Sequence, residues 1–298
     1  MKILLTGGNG QVGFELQRQL CLLGTVLAPR RQELDLSNEK AVSHWLEQHR
    51  PELIVNAAAY TAVDKAESEP ELARRLNAEL PEQLAAYAAK QQCWLVHYSS
   101  DYVYPGTGSM PLREDDKTGP LSIYGQTKLE GDLAIAASGC LHLIFRTSWV
   151  YSARGNNFMK TMLRLGRERD SLKVVNDQIG VPTPARLIAQ VTELALGRAL
   201  FTSHTPSGIY HLAPAGETSW QGFACEIFRL AAAQAQRLAV TPERVEGIPT
   251  SQYPTPAQRP LNSRLVLNRL EHELKVTMPR WQDQLALTLA ELIDLESR

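Results

Sequence analysis

Lys2-Ile3-Leu4-Leu5-Thr6-Gly7-Gly8-Asn9-Gly10-Gln11-Val12-Gly13 carries a short apolar run straight into a turn with glycines three residues apart. Ile3–Leu5 has the pattern of a buried parallel strand, apolar on both faces. Gly7 permits a tight turn, Gly10 lets the backbone come close to a pyrophosphate, and Gly13 lets the next helix pack against the strand. That helix, expected from about Gln11 to Leu23, aims its first N–H groups and the positive end of its dipole at the turn. Strand, glycine turn and helix in this order open a doubly wound α/β sheet with a dinucleotide site. The alternative is a plain crossover with no ligand.

Outward from this turn, strands and helices alternate. A weaker strand spans about Thr25–Ala28, and Ser37-Asn38 supplies a cap for a helix reaching about His49, which Pro51 helps to end. Leu53–Val55 is the next strand, followed by Asn56-Ala57-Ala58-Ala59 and a long helix over about Pro70–Gln91. Trp94–Tyr98 is a strand that ends at Ser99-Ser100-Asp101. A loop rich in Gly and Pro then leads to a helix carrying Tyr124 and Lys128, and Leu143–Phe145 is a further strand. The alternation predicts an α/β fold with a doubly wound, parallel, Rossmann-type sheet and right-handed crossovers. Residues 1–150 read as the dinucleotide-binding domain, with about 171–200 and 218–242 returning to it. Residues 151–170, 201–217 and 243–298 read mainly as a smaller C-terminal substrate lobe, closed by a packing helix near Trp281–Leu295.

Composition narrows the partners. The 298 residues are 44% hydrophobic, enough for a substantial core, and carry a net charge of -1. With no basic surplus and no charged block, nothing points to nucleic acid. Cys21, Cys93, Cys140 and Cys225 are scattered and form no Cys-x-x-Cys, which suits a reducing, cytoplasmic setting. No apolar run is long enough to suggest a membrane segment.

Ligands of such sheets bind beyond the carboxyl ends of the strands. Gly7–Gly10, Ala57–Tyr60, Ser99–Asp101 and Thr147–Tyr151 all follow strands there. Tyr124 and Lys128, four apart, share a helix face. Tyrosine titrates near ~10, and a neighbouring ammonium is expected to lower that value and make the phenol a usable proton donor. Lys128 can also bond a nicotinamide ribose. The competing reading is a half-exposed tyrosine beside a solvated lysine. Ser100 is a candidate donor to an oxygen that gains negative charge; Ser99 competes with it, and either can be a turn hydroxyl. Asp101 either binds substrate or caps the next turn. Near the end of the second strand, where an acidic residue favours an NAD ribose, stand Arg30 and Arg31. They suit a 2′-phosphate, hence NADPH with NADH still usable; solvated loop charges are the alternative.

The chain resembles the extended short-chain dehydrogenase/reductases over nearly its whole length. The specific pieces are Thr6–Gly13, Glu33-Leu34-Asp35-Leu36, Val55–Asp64, Ser99–Tyr104, Arg146–Tyr151, Asp177–Thr183 and Arg259-Pro260-Leu261-Asn262-Ser263. The resemblance implies a catalytic triad of Ser100, Tyr124 and Lys128, with Ser where Thr is usual. It implies cofactor contacts from the Gly7/Gly10/Gly13 turn, Gln11, Val12, Asp35, Leu36, Ala57, Ala58 and Ala59. Ser100, Asp101, Trp149, Asn157 and Arg259 are the implied substrate contacts; for Trp149, plain core packing is the alternative. The implied reaction is reduction of the C4 ketone of a dTDP-linked 4-keto-6-deoxyhexose. Epimerases and dehydratases of the family are rivals, although the Asp-Glu pair of a dehydratase is replaced here by Asp101-Tyr102. A non-catalytic NADP-binding subunit is a rival of another class, opposed by the intact triad. Some related reductases hold Mg²⁺ through glutamates at a dimer interface. Glu15 and Glu291 match two of these, but Arg186 stands where a third is expected. A guanidinium removes an oxygen ligand and adds a repelling charge, so structural Mg²⁺ is not expected and any homodimer is expected to be weak or metal-independent. Glu15 and Arg186 are then expected either to pair across an interface or to be solvated.

Overall fold

In the computed structural model, which describes residues 1–201 and 206–296, β1 (Lys2–Thr6) is buried at every position after Lys2. It has no solvent face because it lies inside the sheet. α1 (Gln11–Gln19), β2 (Thr25–Leu27) and α2 (Glu39–His49) follow. The Asn38 side chain caps α2 by accepting from the Ala41 N–H, and Arg50, left-handed at φ 49°, ends it before Pro51. β3 (Leu53–Asn56) leads through α3 (Val63–Ala66) to α4 (Pro70–Arg74) and α5 (Leu80–Gln91). The expected single helix is interrupted between α4 and α5 by a π-turn at Arg75–Glu79. β4 (Trp94–Ser100), α6 (Ile123–Ala137) and β5 (His142–Thr147) complete the first half.

Beyond β5 come β6 (Val150–Tyr151), α7 (Phe158–Glu168), β7 (Leu172–Val175), β8 (Ile179–Gly180), β9 (Thr183–Pro184) and α8 (Ala185–Phe201). They are followed by β10 (Gly208–His211), β11 (Thr218–Ser219), α9 (Trp220–Ala233), β12 (Val245–Ile248), α10 (Asn268–Leu274) and α11 (Trp281–Glu296). The central sheet is six-stranded and parallel, in the order β2-β1-β3-β4-β5-β10. The chain leaves β1 for the edge strand β2 and crosses back to β3. The cleft between β1 and β3 is therefore the switch point where such sheets take a ligand.

Strand alternation divides the core. Ile3, Leu5, Leu53, Val55, Val96 and Phe145 meet α1 and α8 on one face. Leu4, Ile54, Leu95 and Ile144 meet α2 and α5 on the other. A third cluster joins α7, α9 and α11 through Met159, Met162, Phe223, Phe228, Leu285 and Leu289. The boundaries shift from those expected. β10, from the stretch assigned to the lobe, is the sixth strand of the main sheet, with Tyr210 and His211 buried; residues 202–205 of that stretch lie outside the described ones. α9, expected to return to the nucleotide domain, puts Phe223, Ile227 and Phe228 into the lobe cluster instead. β7 pairs with β12 in a separate two-stranded patch. The reason is that a short apolar run fits any core equally well, so its partner decides where it belongs. No helix among the described residues is long and apolar enough to cross a membrane.

Candidate active site

At the turn after β1, Gly7 has φ +69°, and a Cβ there would sit 2.6 Å from the Ala57 carbonyl oxygen. A side chain at Gly13 would run into the Gly7 carbonyl. Gly10, in extended conformation, precedes α1; no side chain caps the helix and its first turn has no acidic residue. The first N–H groups of α1, those of Gln11, Val12 and Gly13, are therefore available to an anion. Beside them, Thr6 Oγ1 donates to Asn56 Oδ1 at 2.6 Å and accepts from the Ala58 N–H at 3.3 Å, which fixes Ala57–Ala59 along the cleft. This cradle fits a dinucleotide pyrophosphate. Gln11 Oε1 accepts from Asn157 Nδ2 at 2.8 Å and Ser152 Oγ at 3.1 Å, tying the loop before α7 over the start of α1. Arg30 and Arg31 are exposed. Asp35 accepts from the Ser37 hydroxyl and N–H, which hold its carboxyl below the usual range, and Leu36 packs against the core under β1.

The end of β4 sends its two serines to opposite faces. Ser99 donates to Asp132 Oδ2 at 2.9 Å inside the protein. Ser100 donates to Asp101 Oδ1 at 2.9 Å and accepts from the Tyr102 N–H at 3.2 Å, and its hydroxyl lies near enough to Tyr124 to lower the pKa of the phenol. Period-two alternation thus picks Ser100 as the hydroxyl beside the tyrosine. Asp101 is buried, with no hydrogen-bond partner on Oδ2. Burial raises its pKa to about 6, while the Ser263 and Ser100 hydroxyls pull it back down.

The expected lowering of the Tyr124 pKa is not what the structure shows. Burial of the phenol pushes it up to about 12; Asp101 and Asp132 push the same way, and the Ser100 hydroxyl opposes them. The physical reason is where the lysine points. Lys128 Nζ donates to the Tyr98 carbonyl at 2.6 Å and lies 3.0 Å from His97 Nε2. Its own pKa falls to about 8 through burial, with Asp132 resisting.

Trp149 has φ +46° and lies face to face with Trp220, ring centroids 3.8 Å apart. Gly180 lies against the indole, where a Cβ would come within 3.0 Å. Arg259 reaches Asp64 with both terminal nitrogens, at 2.7 and 3.0 Å. Asn157 caps α7 through Oδ1, and its Nδ2 is taken up by Gln11, Ser152 and Arg154. Glu15, Arg186 and Glu291 come together within one chain: Arg186 Nε is 3.2 Å from Glu15 and its Nη2 2.7 Å from Glu291. Glu15, with its side chain 7% exposed and paired to Arg186, is not solvated, which corrects the solvated alternative. Among the described residues, no group of three or more His, Cys, Asp or Glu stands close enough to hold a metal ion.

Three residues were given no role by sequence reasoning. His97 and Asn56 lie at the floor of the site. Asn77, in the π-turn, accepts from the Tyr60 N–H and donates to the Tyr60 carbonyl and Thr127 Oγ1, bracing the Ala59–Tyr60 loop against α6. The available signal was a polar residue inside an apolar strand or helix, since such a group must find a partner once buried.

Comparison with known proteins agrees with this geometry. The family profile described as RmlD substrate binding domain matches residues 1–293. A dTDP-4-dehydrorhamnose reductase of Salmonella typhimurium is 49% identical, covering 95% of each chain, and one of Escherichia coli is 46% identical, covering 98% of each. The solved dTDP-4-dehydrorhamnose reductase of Bacillus anthracis, in complex with NADP, superposes with TM-score 0.86 at 33% identity over 97% of this chain and 99% of that one. The chain belongs to the family of the RmlD substrate binding domain, that of the dTDP-4-dehydrorhamnose reductases.

Proposed function

We propose that this protein reduces the C4 ketone of dTDP-4-dehydro-β-L-rhamnose to dTDP-β-L-rhamnose with NADPH, in the cytoplasm, as the last step of dTDP-rhamnose synthesis. The observation that carries the reading is the placing of Ser100, at the carboxyl end of β4, beside Tyr124, which lies one helical turn from the buried Lys128 and across the cleft from an uncapped helix start. Its family supports the same reading.

A bound nicotinamide supplies the hydride. The residues do the rest. The N–H groups of Gln11, Val12 and Gly13 hold the pyrophosphate, while Ala57, Ala58 and Ala59 line the cleft. Ser100 donates a hydrogen bond to the C4 oxygen as negative charge grows on it. Tyr124 transfers its phenolic proton to that oxygen, leaving a phenolate, and the C4 hydroxyl is complete. A phenol held near 12 keeps its proton at neutral pH, so the donor is charged with its proton before each turnover. Lys128 bonds the ribose. Asp101, Trp149 and Arg259 contact the sugar nucleotide, and Asn157 acts by closing its loop onto Gln11.

The test is NADPH oxidation with and without the 4-keto nucleotide, followed by NMR of the product. Oxidation that depends on the nucleotide and yields the rhamno product is expected. A talo product changes the stereochemical reading, and no oxidation overturns the enzymatic one.

A further inference from the structure

His97 stands on β4 three residues before Ser100, wholly buried, with both ring nitrogens engaged. Nε2 lies 3.0 Å from Lys128 Nζ, and Nδ1 lies 3.0 Å from Asn56 Nδ2. Asn56 Oδ1 in turn accepts from Thr6 Oγ1 at 2.6 Å. Side chains from β1, β3, β4 and α6 therefore form one hydrogen-bonded row beneath the carboxyl edge of the sheet.

The row has only two consistent states. A neutral imidazole has one donor and one acceptor nitrogen. With Thr6 donating to Asn56 Oδ1, the Asn56 amide donates to Nδ1, and the ring hydrogen sits on Nε2, facing the lysine. Only an unprotonated amine can accept it. When Lys128 is an ammonium, Nε2 must accept; the ring hydrogen then sits on Nδ1, and Asn56 turns its amide to offer Oδ1. His97 and Asn56 keep both of their bonds in either state, so neither charge of the lysine leaves a buried orphan between them. Passing between the states takes up or releases one proton to water and relocates the ring hydrogen. No bond between heavy atoms changes.

We propose that His97 is a positioning residue for Lys128, holding the amine in place in both of its charge states by switching tautomer against Asn56. The groups around it favour this role. Thr6 and Asn56, from β1 and β3, are uncharged. On α6, Tyr124 lies one turn before the lysine and Asp132 one turn after, the latter paired with Arg146 of β5 at 3.0 Å and bonded to Ser99. Burial and the neighbouring lysine hold His97 well below the usual histidine range, so the ring stays neutral while Lys128 titrates. The inference rests on the role given to Lys128 above only in its kinetic arm.

The experiment is ¹⁵N NMR of the His97 ring in the intact protein, titrated from about pH 6 to about pH 10. The hydrogen is expected on Nδ1 at the low end and on Nε2 at the high end, with a midpoint near 8, where burial puts the lysine. In Lys128→Met the transition is expected to vanish. In Asn56→Asp the carboxylate accepts only from Nδ1–H, so the ring is expected to stay in that form, and the basic limb of the kcat profile to move up by about one pH unit. A single tautomer throughout the wild-type titration overturns the proposal. So does a transition that survives Lys128→Met, or an Asn56→Asp variant whose pH profile is unmoved. A wild type that fails to turn over the 4-keto nucleotide sinks the proposed function instead, with the ring titration still readable.

Discussion

The floor and the rim of the site are built from different interactions. At the floor, Thr6, Asn56, His97 and Lys128 are all buried on three adjacent strands and one helix, each bonded to the next. At the rim, Arg259 and Asp64 pair with side-chain exposures of 22% and 41%, Arg30 and Arg31 stand in solvent, and the Ser152–Asn157 loop is tied down through Gln11. A buried row cannot give up one member without orphaning its neighbour. A partly exposed ion pair contributes at most about 1 kcal/mol and can exchange partners with an arriving ligand. Floor changes are therefore expected to appear in kcat, and rim changes in KM.

The largest effect is expected at Tyr124, which bridges the two. Tyr124→Phe keeps the ring, its edge contact with Tyr102 and the fold, but removes the proton. kcat is expected to fall by ~10² or more, the scale of lost general-acid catalysis, while the Kd for NADPH, read by fluorescence titration, stays put. Near-normal turnover would remove Tyr124 from the mechanism.

Asp101, beside it, sharpens the contrast through pH. Its pKa is raised in the fold to about 6, from an ordinary 3.8. The native state therefore holds a proton that the unfolded chain has lost, and stability falls as pH rises through about 4 to 6. Asp101→Asn removes that dependence. In urea melts the variant is expected to gain about 3 kcal/mol over wild type at pH 7 and little near pH 4. A variant less stable at pH 7 would mean that the ionised carboxylate is well paired.

At the rim, Arg259→Ala is expected to raise KM for the sugar nucleotide about tenfold while kcat changes less, because it removes binding shared by ground and transition states. An equal fall in kcat with unchanged KM would reduce Arg259 to a clasp on Asp64. A smaller effect is expected at the cofactor end. Arg30→Ala/Arg31→Ala is expected to lower kcat/KM for NADPH severalfold relative to NADH, since the lost guanidinium groups suit a 2′-phosphate. A wild type that strongly prefers NADH would break that argument.

This same division explains what was legible in the sequence. The glycine turn announced β1, α1 and the cleft because each glycine answers a local steric demand, such as the Ala57 carbonyl against Gly7. Tyr124 and Lys128 were legible as one helix face. Their environment was not, because His97 lies 31 residues before Lys128 and only the sheet brings them together. The choice between Ser99 and Ser100 needed the register of β4, which a run of two like residues conceals. Asp64 and Arg259 are 195 residues apart, and each reads alone as an ordinary loop charge. β10 escaped because four residues at a sheet edge carry too little pattern to reveal their neighbour.

The smallest expected effect lies away from both floor and rim, where Arg186 holds Glu15 of α1 to Glu291 of α11. The side chains of Arg186, Glu15 and Glu291 are 41%, 7% and 32% exposed, so the cluster is mostly wet and its removal is expected to cost about 1 kcal/mol or less. The pair raises the basicity of the guanidinium, chiefly through Glu15, so Arg186 stays charged at any working pH and competes with a cation for the same two carboxylates. Chelation with EDTA or addition of Mg²⁺ is therefore expected to change neither activity nor the mass seen by light scattering. Arg186→Glu reverses the situation: three carboxylates then face one another and repel, and oxygen ligands of the kind Mg²⁺ takes replace the guanidinium. That variant is expected to melt lower than wild type and to recover with Mg²⁺, whereas the wild-type Tm does not respond. If EDTA instead abolishes activity and dissociates the wild-type protein, a metal supports the assembly and Arg186 is not its substitute.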